Sequence, residues 1–294
     1  MIEESAAIAR KPLSLRYRLC SSCRLVYLLG ILVVSLFSYA LAEVNNIISF
    51  YNPETDISSF TSLKVSYDTY LSKRTVYRLQ PFKDRTTFEN LNENKQAPVM
   101  LISSWHYHLL DEKLKERIRP ALIATQDGAT TARKILTTKK TIKSLEDLRG
   151  AVIASAADRE YTRELMFDLF HDFPPDLVDS IEVLSVPKEI DALMAVAYGV
   201  ADGAITFERT LQKLGRINAN QQSLLQVQAH SKEIMLPLLF VPVTQTAAES
   251  KLVQVLKDMP SSQEGRQQLR MIGFDGWKAV DNKIVNRLDG YGIK

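Results

Sequence analysis

Residues 144–170, SLEDLRGAVIASAADREYTRELMFDLF, constrain the fold more tightly than any other stretch of this 294-residue chain. They read as a short helix, a strand, a small-residue turn and a longer helix. Ser144 with Asp147 fits a capping box, and Gly150 is a natural helix stop. Ala151–Ala154 is an apolar run of strand length. Ser155, Ala156, Ala157 and Asp158 make the turn. From Arg159 onward Tyr161, Leu165, Met166, Leu169 and Phe170 recur at helical spacing. A strand therefore ends at a helix N-terminus across a turn of small side chains. Free backbone N–H groups and the helix dipole gather at such a point and suit an anion; the same pattern also serves as an ordinary βα turn.

The rest of the body repeats the alternation. Strands are expected at Ile47–Tyr51, Val76–Phe82, Pro98–Ser103, Ala121–Thr125, Ile181–Val186, Ala201–Phe207, Leu224–Val227 and Leu236–Val243, with Thr130–Thr138 as an extended crossing segment. Helices are expected at Phe60–Leu71, Thr87–Leu91, Glu189–Val200, Ala247–Lys257 and Ser262–Met271, and the tail after Asp281 reads as polar. Strands alternating with helices imply βαβ units and mostly parallel sheets.

The N-terminal end has a different composition. Leu25–Tyr39 is a run without charge, preceded by five basic residues and followed by Ala40-Leu41-Ala42. That is the layout of a secretory signal peptide cleaved after Ala42, although a retained membrane anchor fits the same segment. Either way the body is exported, and a periplasmic location is expected. Of the 37 basic and 34 acidic residues, five and two precede Leu25, so the remainder balances at 32 of each. No basic stripe interleaves with aromatics, which argues against a nucleic-acid partner. Cys20 and Cys23 both precede the apolar run, and two ligands alone make a poor zinc site. The mature chain has no cysteine, so its core must hold it together; about 250 residues suffice for that.

Several segments stand out in order: the strand end Ser49-Phe50-Tyr51-Asn52-Pro53; the strand end Leu101-Ile102-Ser103-Ser104-Trp105; Ser144-Leu145-Glu146-Asp147-Leu148-Arg149-Gly150 behind its crossing strand; the unit Leu193–Ala204; and the ending Glu264-Gly265-Arg266 to Gly273-Phe274-Asp275-Gly276-Trp277. Taken together in this order, they resemble the periplasmic solute-binding proteins of phosphonate-type ABC transporters. The resemblance implies an α/β, two-lobed type 2 periplasmic-binding-protein-like fold with two crossover strands. Residues 1–42 would be the export signal, 43–130 and 240–294 lobe one, and 131–239 lobe two. The crossings would lie near Gly128–Leu136 and Lys232–Leu239. A ligand would sit between lobes that close on it.

The departures from the family pattern bear on the ligand. Phosphonate-binding members carry S-x-S-G at the helix start of lobe two. Here the turn is Ser155-Ala156-Ala157-Asp158-Arg159-Glu160, with fewer hydroxyls and two carboxylates. A carboxylate beside a phosphonate repels it by on the order of 1–4 kcal/mol, depending on exposure. The family's L-G-P turn is replaced by Ser103-Ser104-Trp105. The expected ligand-binding residues are Tyr51, Asn52, Ser103, Ser104, Trp105, Ser155, Arg159, Tyr161, Phe207 and Glu208. By the resemblance, Glu208 would stand where family members that bind amino-phosphonates place an acid for the ligand ammonium.

Other chemistry is sparse. On a strand His106 and His108 would share a face, but the family pattern makes this a helix start and splits them, so no metal site is expected. His171 and His230 read as surface residues. No nucleophile elbow, Walker loop or dinucleotide fingerprint occurs, and neither catalysis nor a cofactor is expected. Two readings stand: a solute-binding protein delivering a small oxyanion or zwitterion to an ABC permease, or an exported accessory or sensory protein acting through protein contact, for example with a membrane sensor.

Overall fold

The computed structural model describes residues 46–53, 59–93, 95 and 98–289. The expected export signal and both cysteines lie outside the described residues. No helix among the described residues is long and apolar enough to cross a membrane. In chain order the elements begin with β1 (Ile47–Tyr51), α1 (Phe60–Ser72), β2 (Arg78–Pro81), α2 (Arg85–Glu93) and β3 (Val99–Ile102). Then come α3 (Ser104–Leu109), α4 (Glu112–Lys115), β4 (Ile118–Thr125), β5 (Thr131–Lys139), a 3-10 turn (Glu146–Leu148) and β6 (Val152–Ser155). The middle continues with α5 (Arg159–Leu169), α6 (Pro175–Asp179), β7 (Glu182–Ser185), α7 (Glu189–Tyr198), β8 (Gly203–Phe207), α8 (Glu208–Ile217), α9 (Ala219–Ser223) and β9 (Leu225–Met235). It ends with β10 (Leu238–Pro242), α10 (Ala247–Lys257), α11 (Gln263–Met271), β11 (Gly276–Ala279) and α12 (Asn282–Asp289).

The strands form two sheets, each the centre of one lobe. One has the order β11-β4-β10-β3-β1-β2 and the other β7-β6-β8-β5-β9. The chain leaves the first sheet through 126–130, where Asp127 and Gly128 have φ of 50° and 76°. It returns through 236–237. Leu238 already pairs with Ile102 and Ile123, so the return lies slightly before the expected boundary at 239. The sheets are mixed rather than mostly parallel: four strand pairings are parallel and five antiparallel. The returning strand β10 causes much of this, inserting between β3 and β4 against both of them.

Alternation along the central strands puts apolar side chains on both faces. Ile48, Val99, Leu101, Leu239 and Val241 face one core of the first sheet, with Leu63, Tyr67 and Leu71 of α1. Tyr51, Met100, Ile102, Leu238 and Phe240 face the other. In the second sheet Ile153 and Ile205 belong to one core, Ala154 and Ala204 to the other. A period of two with both sets apolar is what a sheet covered by helices on both faces requires.

Local signals fix several helix ends. Ser59 caps α1, accepting from the Ser62 amide at 3.2 Å. Gly199 ends α7 in the left-handed region at φ 78°. The expected capping box at Ser144 forms only in part. Asp147 accepts from the Ser144 and Lys143 amides at 3.0 Å each, but Ser144 caps nothing and the turn stays 3-10.

Candidate functional site

The sheets' strand ends meet at a cleft of about 670 Å³. From the first lobe come Tyr51, Asn52 and Pro53 after β1, Ser59, Phe60 and Thr61 at the start of α1, and Phe82 and Lys83 after β2. From the second come Ala156, Ala157 and Asp158 in the β6–α5 turn and Ser185, Val186 and Pro187 after β7. Such a site follows from the topology, because ligands of open α/β sheets bind outside the carboxyl ends of the strands.

Tyr51 is the anchor of the first wall. It is 3% exposed, packed edge-on against His106 with 4.9 Å between ring centroids. Its hydroxyl makes no side-chain hydrogen bond among the described residues. Burial, and then the carboxylate of Asp158, push its ionisation well above the ordinary tyrosine value. It therefore stays a protonated donor at neutral pH. The exposed amine of Lys83 and the first turn of α1 add positive potential to the same wall.

The opposite wall is closed upon itself. Ser155 Oγ accepts from the Ala157 amide at 3.2 Å and from the Thr162 hydroxyl at 3.0 Å. Asp158 caps α5, accepting from the Glu160 amide at 2.8 Å. The Asp158 amide itself donates to the Pro53 carbonyl of the other lobe at 2.7 Å. Three N–H groups that an anion would use at this helix start thus have partners. What the turn offers the cleft is the Asp158 carboxylate.

Further contacts tie the lobes together. Arg85 Nη1 reaches Glu160 Oε1 at 3.1 Å. The Trp105 indole, which the chain carries on the first lobe, packs in the second lobe's core edge-on to Tyr161, with ring centroids 5.3 Å apart. Beside this seam His106 is fully buried and its Nε2 lies 3.0 Å from Glu89 Oε1, while its Nδ1 has no hydrogen-bond partner among the described residues. Burial lowers the His106 value, outweighing the Glu89 carboxylate that raises it; the same hydrogen bond holds Glu89 below its ordinary value.

Of the ten residues expected to bind, Tyr51 and Asn52 line the cleft. Ser103 caps α3 through the His106 amide at 3.1 Å, and Ser104 turns its hydroxyl to the Met235 carbonyl at 3.4 Å. Trp105 and Tyr161 meet each other, and Ser155 braces its own turn. Arg159 leads away, donating to the Val183 carbonyl at 3.3 Å. Phe207 lies beneath Lys134, whose Nζ is 3.6 Å from its ring centroid, and Glu208 is exposed at the start of α8. The lining residues Ser59, Phe60, Thr61, Lys83, Ser185, Val186 and Pro187 were not among those expected. For the first three a signal existed: Ser59 directly before the helical spacing of Phe60, Leu63 and Tyr67 marks a helix start beside the β1 strand end. His106 and His108 do sit on a helix, α3, and among the described residues no group of three or more potential ligands clusters for a metal.

Comparison with known proteins places this architecture. The family model described as "ABC transporter, phosphonate, periplasmic substrate-binding protein" matches residues 68–284. No curated protein matches the sequence. Among solved structures, XAC2383 from Xanthomonas citri bound to chloride ion is similar with a TM-score of 0.62 at 15% identity, covering 83% of this chain and 95% of that one. The binding-protein component of a Pseudomonas aeruginosa ABC phosphonate transporter, PA3383, has a TM-score of 0.57 at 17% identity, covering 83% and 86%. PhnD1 from Prochlorococcus marinus, solved with methylphosphonate, has a TM-score of 0.57 at 12% identity, covering 84% and 97%. These likenesses concern the fold, a two-lobed type 2 binding-protein architecture.

Proposed function

The chain belongs to the phosphonate-type periplasmic substrate-binding proteins of ABC transporters, and on that premise we propose that it captures a small phosphonate bearing an ammonium group in the cleft after β1. The family is a transporter's substrate-binding component, not a class of enzymes. The observation that carries the reading is the pairing of charges across the cleft. Tyr51, Lys83 and the α1 first turn offer donors and positive potential on one wall, and Asp158 offers a carboxylate on the other. A phosphonate fits the first and an ammonium the second, so a zwitterion satisfies both walls while a plain anion meets the Asp158 repulsion.

In this reading Tyr51 and Asn52 touch the ligand. Ser103, Ser104, Trp105, Ser155 and Tyr161 hold the walls in place, and Arg159, Phe207 and Glu208 lie outside the contact set. Lobe one is built from the chain up to Thr125 and again from Leu238, and lobe two from 131–235, with the passages at 126–130 and 236–237 acting as hinges. The basic segment before an uncharged run supports export to the periplasm, with cleavage after Ala42 or retention as an anchor. An ABC permease is the partner that receives the ligand.

One feature favours the accessory or sensory reading. The Asp158–Pro53 bond and the Trp105–Tyr161 contact close the lobes with the protein's own groups. A thermal-shift screen of the full chain separates the two readings. A ligand at 100 times its Kd adds about 2.7 kcal/mol of stability. Aminomethylphosphonate should shift the transition more than methylphosphonate, phosphite or phosphate. No shift with any of them at millimolar concentration refutes the solute-binding reading and leaves protein contact.

A further inference from the structure

A second groove, of about 580 Å³, opens where α7 and α8 face residues 126–127 and Gly273 of the other lobe. None of its lining residues belongs to the cleft described above. Four cations line it, Lys188, Arg209, Lys213 and Arg216, against two acids, Asp127 and Glu189. Glu189 is already satisfied: its Oε1 lies 2.6 Å from the buried Lys134 Nζ and its Oε2 accepts from the Thr210 hydroxyl at 2.5 Å. The side chains of Lys188, Lys213 and Arg216 have no ion-pair or hydrogen-bond partner among the described residues.

The arrangement of these cations is unfavourable for the helix alone. Arg209, Lys213 and Arg216 stand at i, i+4 and i+7 on α8, one face, where like charges destabilise a helix. No acid of α8 interrupts that face. Lys188 precedes the ten-residue α7 without a side-chain cap, so the positive end of α7 opens onto the same groove. Among the lining residues Asp127 alone supplies free negative charge, while Asp191 in the first turn of α7 offsets part of that helix's positive end. The groove also contains an orphan acceptor. Gln126 donates from its Nε2 to the Gly273 carbonyl at 2.7 Å, and its Oε1 is buried without a hydrogen-bond partner among the described residues. A concavity of this size is within the range of small-molecule sites.

We infer that this groove binds an organic polyphosphate, with two or more phosphoryl groups for the cations and a hydroxyl for Gln126 Oε1. Its walls come from both lobes, so an occupant bridges them and biases their relative populations of open and closed states. Lys188, Lys213 and Arg216 supply the charge, and Gln126 selects for the hydroxyl.

The test is calorimetric titration of the full chain, in mild detergent at low salt, with fructose 1,6-bisphosphate and with pyrophosphate. Saturable binding of the bisphosphate is expected, weakening with added salt. Lys213→Glu/Arg216→Glu should weaken it by at least about tenfold while leaving the melting temperature and the aminomethylphosphonate response of the cleft unchanged. Gln126→Leu should weaken the bisphosphate but not pyrophosphate. Absence of saturable heat at millimolar bisphosphate, or equal affinity in the double variant, overturns the site. Loss of both the bisphosphate and the aminomethylphosphonate responses in the double variant overturns its separateness from the cleft.

Discussion

Replacing Trp105 by alanine tests whether the lobes are held by packing across the seam. The indole is 6% exposed and sits with Ile153, Tyr161, Leu165 and Ile205, all from the other lobe. Truncating a buried Trp to Ala typically costs about 3–5 kcal/mol, from lost transfer energy and the cavity left behind. Of this, about 0.5–1.5 kcal/mol belongs to the edge-on pair with Tyr161. The Arg85–Glu160 pair beside it cannot compensate, because its side chains are 30% and 52% exposed and such pairs contribute about 0–1 kcal/mol. Trp105→Ala should therefore lower the urea unfolding free energy by about 3–4 kcal/mol and enlarge the radius of gyration measured by X-ray scattering. A double-mutant cycle with Tyr161→Ala should return a coupling of about 1 kcal/mol. A loss below about 1 kcal/mol with an unchanged scattering curve refutes the claim that the indole ties the lobes.

Three further outcomes are expected. His106 is held below its ordinary 6.5 by burial, so the unfolded chain takes up that proton first; stability should be complete above 6.5 and drain as pH falls below it, and His106→Gln should flatten that part of the pH–stability curve. Asp158→Ala removes the α5 cap, at a cost of about 1 kcal/mol in denaturation, and calorimetry should show methylphosphonate binding more tightly and aminomethylphosphonate more weakly. Weaker binding of both would contradict the role given to its carboxylate. Gly265→Ala would place a Cβ 2.1 Å from the backbone carbonyl oxygen of Met259, which opens a 3-10 turn at Met259–Ser261; thermal unfolding should show a loss of about 1–3 kcal/mol or more, and a neutral variant would mean that this turn moves freely.

The alternating pattern was legible where apolar residues repeat. β1, α1, α5, α10 and α11 lie where Ile47–Tyr51, Phe60–Leu71, the run from Arg159, Ala247–Lys257 and Ser262–Met271 suggest. The elements that local pattern misses are those whose burial is decided by distant partners. β11 carries only a four-residue run, and pairing with β4 defines it. Most of β9 is polar on one side, and its length follows from the β5 ladder. α12 reads as polar because only Ile284 and Leu288 turn inward. The parallel expectation failed at β10 because a sequence does not show where a returning strand inserts.

The site was less legible than the fold. Tyr51 and Asn52, which line the cleft, could be suggested from the sequence because a strand end is a local feature. Lys83 and Ser185–Pro187 were missed because which of several strand ends open onto the cleft depends on how the lobes meet. Trp105 illustrates the same limit. Its bulk at a strand end suggested a lining residue, yet the indole crosses the seam into the other core. Ser155 and Asp158 stand in the turn that suggested an anion site, but their side chains accept that turn's own amides, and the Asp158 amide goes to Pro53.

The most direct measurement is a calorimetric titration of the full chain with aminomethylphosphonate, repeated on Tyr51→Phe. One saturable site is predicted, with the variant weaker by about tenfold, the loss expected when a hydroxyl donor to a charged ligand is removed. No saturable heat at millimolar ligand, or equal affinity in the variant, contradicts the assignment of the cleft.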